Sequence, residues 1–341
     1  MIYPQFLKEH DTIGVTATSS SGIRNPVDEL ILNNAIKNLN EIGYKVIETD
    51  NVRKGEKLVS SSKEERAKEF YELWCNPVVK HIITAAGGEF LMEIIPYIDK
   101  YHLNEKEPKW VQGFSDTSLL LFYITTKYNI ATVHGTNFGG YGRKEIHPSF
   151  LKSLEMISDN NLKIQESFEM FESSPINKEE GKEFELPRLD TKVLYKNLYK
   201  EEKVNMQGRL IGGCMDVLKT IIGTPYSFVK QFCNQFKEGM IWYLENCEMN
   251  VCDMYRALWQ MKEAGWFNNA KGILIGRTRS SEEIHGFTYE DALHDTFDDL
   301  NIPVIYDIDV GHTQLQWTMI NGSFAKFDYE QGRGRIEMIF K

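Results

Sequence analysis

The hexapeptide Gly113-Phe114-Ser115-Asp116-Thr117-Ser118 places a serine two residues after a glycine, where an apolar run gives way to a helical pattern. A hydroxyl on such a strand-to-helix turn has the arrangement of a nucleophile elbow. The tight turn exposes the oxygen, and the helix N-terminus adds positive potential. The second glycine usual in that motif, two residues after the serine, is Thr117. The same residues also read as an ordinary helix start, with Ser115 as N-cap and Asp116 in the first turn. As a nucleophile, Ser115 needs a base, and the base needs an orienting acid.

Among the 8 histidines, His10, His102, His147, His285 and His294 stand in polar, loop-like or helical surroundings and are expected at the surface, while His81 opens an apolar run. His134 and His312 each end an apolar run beside a glycine. The carboxyl ends of strands form the ligand crevice of open α/β sheets, so both are placed for a site. Each reads equally as a base or as a hydrogen-bonded structural histidine. For the acid, Glu245 ends the run Ile241-Trp242-Tyr243-Leu244, where a buried carboxylate must be paired. Asp307 and Asp309 compete, being nearer His312 in sequence. Acyl transfer also requires oxyanion donors. The backbone N–H of Asp116 is one candidate, and the Gly87-Gly88 turn can present another, although those glycines equally make a plain βα turn.

These residues need a frame. Short apolar runs at Thr12–Thr18, Tyr44–Thr49, His81–Ala85, Trp110–Gly113 and Ala131–His134 alternate with helical patterns opening at Asn25-Pro26, Ser62 and Thr117. That alternation predicts parallel βαβ units. From about residue 145 to 205 the pattern degrades into a Lys-, Glu-, Asn- and Ser-rich stretch. Its run Lys178-Glu179-Glu180-Gly181-Lys182-Glu183 is expected as a solvated loop, and the whole as a connector that also serves as a flap. Beyond Arg209 a mixed α/β pattern resumes. The boundaries drawn are 1–160 for a nucleophile domain, 161–205 for the connector and 206–341 for a domain carrying Glu245 and His312.

Composition narrows the function classes. A net charge of −10 disfavours sequence-independent binding of a nucleic-acid polymer. No apolar run of about 18 residues predicts a membrane span, and the N-terminus lacks a secretory pattern, so a cytoplasmic location is expected. The 5 cysteines show no Cys-x-x-Cys spacing. Walker A, His-Glu-x-x-His and Gly-x-Gly-x-x-Gly patterns are absent, so neither a metal nor a cofactor is expected. Two rival readings stay open: a non-catalytic two-domain small-ligand binder, and a metal-dependent hydrolase using His134, His312 and carboxylates.

Taken in order, Asp11-Thr12-Ile13-Gly14-Val15, Ala86-Gly87-Gly88, Gly113-Phe114-Ser115-Asp116, His134-Gly135, Gly208–Gly213, Gly223-Thr224-Pro225, Leu244-Glu245 and Gly311-His312 resemble the LD-carboxypeptidase family of serine peptidases. That family includes cytoplasmic murein tetrapeptide carboxypeptidases and the microcin C self-immunity peptidases. The resemblance implies a triad of Ser115 as nucleophile, His312 as base and Glu245 as orienter. It also implies oxyanion donors at the Gly88 and Asp116 amides, with Gly87 and His134 lining the site. It further implies an N-terminal flavodoxin-like domain, a C-terminal swivelling β/β/α domain, a homodimer, and a small peptide or aminoacyl-nucleotide substrate. The chain departs from the family at Cys214, where Asn is common, and at Asn246, where an acid is common. No Trp lies between Trp110 and Trp242.

Overall fold

Five strands fall between Thr12 and His134: β1 Thr12–Thr16, β2 Lys45–Glu48, β3 Val79–Thr84, β4 Trp110–Gly113 and β5 Thr132–His134. In the computed structural model, which describes residues 1–175 and 181–341, they pair in parallel in the order β2-β1-β3-β4-β5. This is the flavodoxin-like order, and its switch point lies between β1 and β3. Residues 178–180 of the acidic-basic run expected as a solvated loop lie outside the described residues. β4 and β5 are buried at every position, as a parallel sheet covered on both faces requires. The flanking helices start where capping chemistry allows. Asn25 accepts from the backbone N–H groups of Val27 and Asp28 ahead of the helix Pro26–Glu41, and Ser62 accepts from Glu65 ahead of Lys63–Cys75.

The remaining strands are β6 Lys163–Glu166, β7 Met170–Phe171, β8 Thr191–Lys192, β9 Lys196–Asn197, β10 Lys203–Cys214, β11 Met240–Glu245, β12 Ala270–Gly276, β13 Val304–Ile308, β14 Met319–Asn321, β15 Phe324–Glu330 and β16 Arg333–Ile339. Eight of them form a second sheet in the order β6-β16-β15-β10-β11-β12-β13-β9. Its centre, β10 to β13, is parallel, and its flanks are antiparallel. β16 alternates buried and half-buried residues, the mark of a strand with one face toward solvent. The described residues of the stretch 145–205 are more structured than its composition suggests. They hold the helix Pro148–Met156 and contribute β6 and β9 to opposite edges of this sheet.

The halves are joined through a common core. The helix Ser118–Tyr128 is apolar around most of its circumference, and all its residues but Lys127 are buried. The Phe122 ring stacks on Trp266, centroids 5.3 Å apart, and Trp266 stacks on Trp242 of β11 at 5.6 Å. One apolar cluster therefore runs from Phe70 and Val111 through Leu121 to Leu258 and Phe297. β14, from the C-terminal part of the chain, pairs antiparallel with β5 and completes the first sheet.

Candidate active site

Ser115 follows β4 with φ 63°, a left-handed conformation that a non-glycine residue adopts at a cost. The turn is held from below. The backbone N–H of Phe114 donates to Asn137 Oδ1 at 3.1 Å, and the Thr84 hydroxyl donates to the same oxygen at 2.9 Å. The Thr117 and Thr84 hydroxyls lie 3.0 Å apart. The residue in place of the motif's second glycine thus contributes to bracing the turn. Gly113 must lack a side chain, because a Cβ there would lie 2.3 Å from Thr84 Oγ1.

His312, in the loop after β13, places Nε2 3.0 Å from Ser115 Oγ. Its Nδ1 lies 2.9 Å from Oε2 of Glu245, the last residue of β11. Glu245 is fully buried, while the His312 side chain is 25% exposed and faces the cleft. Burial pushes the Glu245 carboxyl up, but the charge and hydrogen bond of His312, with help from His134, bring it below the ordinary range. Burial opposes the His312 imidazolium. The Glu245 carboxylate and hydrogen bonding to Cys247 outweigh that and hold it well above the usual histidine value. An imidazole fixed by an acid at one nitrogen can take a hydroxyl proton at the other.

The Gly87-Gly88 turn after β3 packs against this serine. A Cβ on Gly87 would lie 2.7 Å from Ser115 Cβ and 2.8 Å from Oγ. Gly88 has φ 156°, and a Cβ there would meet Ser19 Oγ at 2.3 Å. Asp116 is buried. Its carboxylate accepts at Oδ2 from the Ser19 hydroxyl and from the Leu91 backbone N–H at 2.9 Å, so its side chain ties loops together. A cleft of about 630 Å³ opens over Ser115 and His312, lined also by Gly87, Gly88, Arg143 and Cys247.

Other candidates fall elsewhere. Asp309 is bonded to Arg277, to the Tyr195 hydroxyl and to the Phe168 N–H, and Asp307 pairs with Lys196; neither orients His312. The resemblance implied that His134 lines the site, but it does not line the cleft. It is fully buried, with its ring edge-on to Phe114 and Tyr243, because β14 covers β5 on its outer side. Burial lowers its pKa to about 4. His81 is also buried, whereas His10, His102 and His285 are exposed. Among the described residues no group of three or more His, Cys, Asp or Glu side chains is arranged to hold a metal ion, and no helix is long and apolar enough to cross a membrane. Ser19, Thr84, Asn137 and Cys247 were not singled out from sequence. All four follow or end strands on the crevice side, and the rule that sites gather at strand carboxyl ends would have found them.

Known proteins carry the same plan. Residues 13–135 match the LD-carboxypeptidase N-terminal domain and residues 207–327 the LD-carboxypeptidase C-terminal domain. The Microcin C7 self-immunity protein MccF of Escherichia coli is 26% identical over 331 residues, covering 94% of this chain and 91% of that protein. The "Probable murein peptide carboxypeptidase" of Bacillus subtilis (strain 168) is 24% identical over 338 residues, covering 98% of this chain and 94% of that protein. A solved structure of Microcin C7 self immunity protein MccF with aspartyl sulfamoyl adenosine superposes with a TM-score of 0.81 at 22% identity, over 100% of this chain and 99% of that one. With both domain matches falling in order along the chain, the protein belongs to the LD-carboxypeptidase family.

Proposed function

We propose that this protein is a serine-type amidohydrolase that releases a terminal residue from a murein peptide, with Ser115, His312 and Glu245 as its triad. The observation that carries the reading is the continuous chain from the Ser115 hydroxyl through both nitrogens of His312 to the buried Glu245, with contacts of 3.0 and 2.9 Å. His312 Nε2 takes the Ser115 proton as Oγ bonds to the amide carbonyl carbon. The Gly88 and Asp116 amides donate to the developing oxyanion. His312 then returns the proton to the leaving nitrogen as the C–N bond breaks. A water, deprotonated by the same imidazole, attacks the acyl ester and frees Ser115. Glu245 holds the ring in the required tautomer and stabilises the imidazolium.

The family description and the relative named as a murein peptide carboxypeptidase support the peptide substrate. The near full-length likeness to a microcin self-immunity protein favours a second reading, hydrolysis of an aminoacyl-nucleotide. Pure protein is incubated with a murein tetrapeptide and, separately, with an aminoacyl sulfamoyl adenosine, and products are read by mass spectrometry. Loss of the terminal residue from the tetrapeptide is the expected result. Cleavage of the sulfamoyl conjugate alone would transfer the assignment to the second reading. Inertness toward both, with Ser115 unlabelled by a fluorophosphonate, would make the protein a binder.

A further inference from the structure

Two fully buried polar side chains, one in the triad and one behind it, carry atoms without a hydrogen bond among the described residues. Glu245 uses Oε2 for His312, while its Oε1 has no hydrogen bond among the described residues. The Cys214 thiol lies within hydrogen-bonding reach of this carboxylate and also 3.4 Å from Asp216 Oδ2, and its single hydrogen can serve only one of the two acids. Both ring nitrogens of His134 are likewise unpartnered among the described residues. Buried polar atoms without partners are rare and costly, and an orphaned donor beside an orphaned acceptor calls for an explanation.

Geometry puts the two groups in one layer. His134 ends β5 and packs edge-on against Tyr243, ring centroids 5.4 Å apart. Tyr243 stands two residues before Glu245 on β11, so both side chains leave the same face of the strand. Its hydroxyl donates to Asn321 Oδ1 at 2.9 Å and makes no hydrogen bond with either ring nitrogen of His134. Phe114 bridges from the other side, with its ring 6.4 Å from His134 and 5.1 Å from His312. A neutral imidazole offers one N–H and one acceptor nitrogen. The N–H matches the need of Oε1, and a water satisfies both where they do not touch directly.

We propose that His134 is a positioning residue that donates, through one ordered water, to the outer oxygen of Glu245 and so fixes the carboxylate that orients His312. The inference rests on the serine-hydrolase reading of the site. It gives a specific task to a histidine that never contacts substrate. Loss of this link frees the carboxylate to rotate, which slows proton transfer from Ser115 without touching substrate contacts.

The test compares wild type with His134→Phe and His134→Gln, using fluorophosphonate labelling of Ser115 and kcat and KM on whichever substrate is turned over. In His134→Phe, labelling and kcat should fall on the order of 10-fold with KM unchanged, a loss like that of removing the outer partner of a metal-ligating side chain. His134→Gln, which keeps a donor and an acceptor, should recover most of the loss. Equal labelling rates in wild type and both variants would overturn the inference and leave the triad standing. No labelling of wild type would overturn the triad, and the inference with it. Should His134→Phe fail to fold, a crystal structure of the wild type decides: an ordered water between His134 and Glu245 Oε1 supports the link, and an apolar gap there refutes it.

Discussion

Glu245 and Asp309 are both completely buried carboxylates in the C-terminal half, and they are bound in opposite ways. Asp309 has both oxygens engaged, one by Arg277 and the other by the Tyr195 hydroxyl at 2.6 Å and the Phe168 N–H at 2.9 Å. Arg277 is itself buried, with its guanidinium 3.9 Å above the Phe171 ring and a further bond to Thr313. Glu245 has its direct bond among the described residues at Oε2, to a histidine that faces the cleft. A guanidinium offers only hydrogen-bond donors, so the Asp309 assembly is a fixed joint that fastens Phe168, Phe171 and Tyr195 to the end of β13. An imidazole can take up a proton and give it back, so the Glu245 assembly is able to do chemistry. Burial alone does not separate the two acids; the chemistry of the partner does.

Substitutions should pull these roles apart. The largest effect is expected from Ser115→Ala, which should lower turnover on the order of 10⁶-fold with thermal stability near wild type. Adding Glu245→Gln to that variant should cost little more in an assay of product release, because the two side chains act as one unit. Additive losses would separate Glu245 from the serine.

Glu245→Gln alone should reduce kcat on the order of 10⁴-fold, since the ring then loses its required tautomer. The pH dependence sharpens this. His312 is a base only when neutral, and Glu245 raises its pKa above the ordinary value of about 6.5. In the wild type, kcat/KM should therefore climb with pH through a midpoint above that value. In Glu245→Gln the residual activity should climb at lower pH. A midpoint unmoved by the substitution would refute the coupling.

Asp309→Asn should do the reverse. Calorimetry should find a loss of stability of about 3 kcal/mol, the cost of leaving the buried Arg277 short of its counter-charge. Activity per folded molecule should stay close to that of the wild type. A collapse of kcat in a stable Asp309→Asn protein would erase the distinction between the two pairs.

The N-terminal half was largely legible because its signals are local. Buried apolar runs announced β1 to β5 to within a few residues, and Asn25 and Ser62 cap helices as their spacing predicts. Ser115 stood at a recognisable junction, but the features that set it apart from an ordinary helix cap, a positive φ and a histidine 197 positions away, are not local. The choice among Glu245, Asp307 and Asp309 was not local at all. It depends on which loop ends meet across two sheets. The short strands β6, β9 and β14 escaped notice for a related reason: two to four residues carry too little periodicity, and their pairing partners lie far along the chain.

The strand β14 has a consequence for motion. The segment 309–318, which carries His312, is anchored at one end by β13 in the second sheet and at the other by β14 in the first. It behaves as a strap sewn to both halves, rather than as an arm extended from one of them. Any rocking of the sheets must stretch or slacken that strap. The separation of imidazole from hydroxyl is thereby limited by the covalent path of the chain as well as by packing.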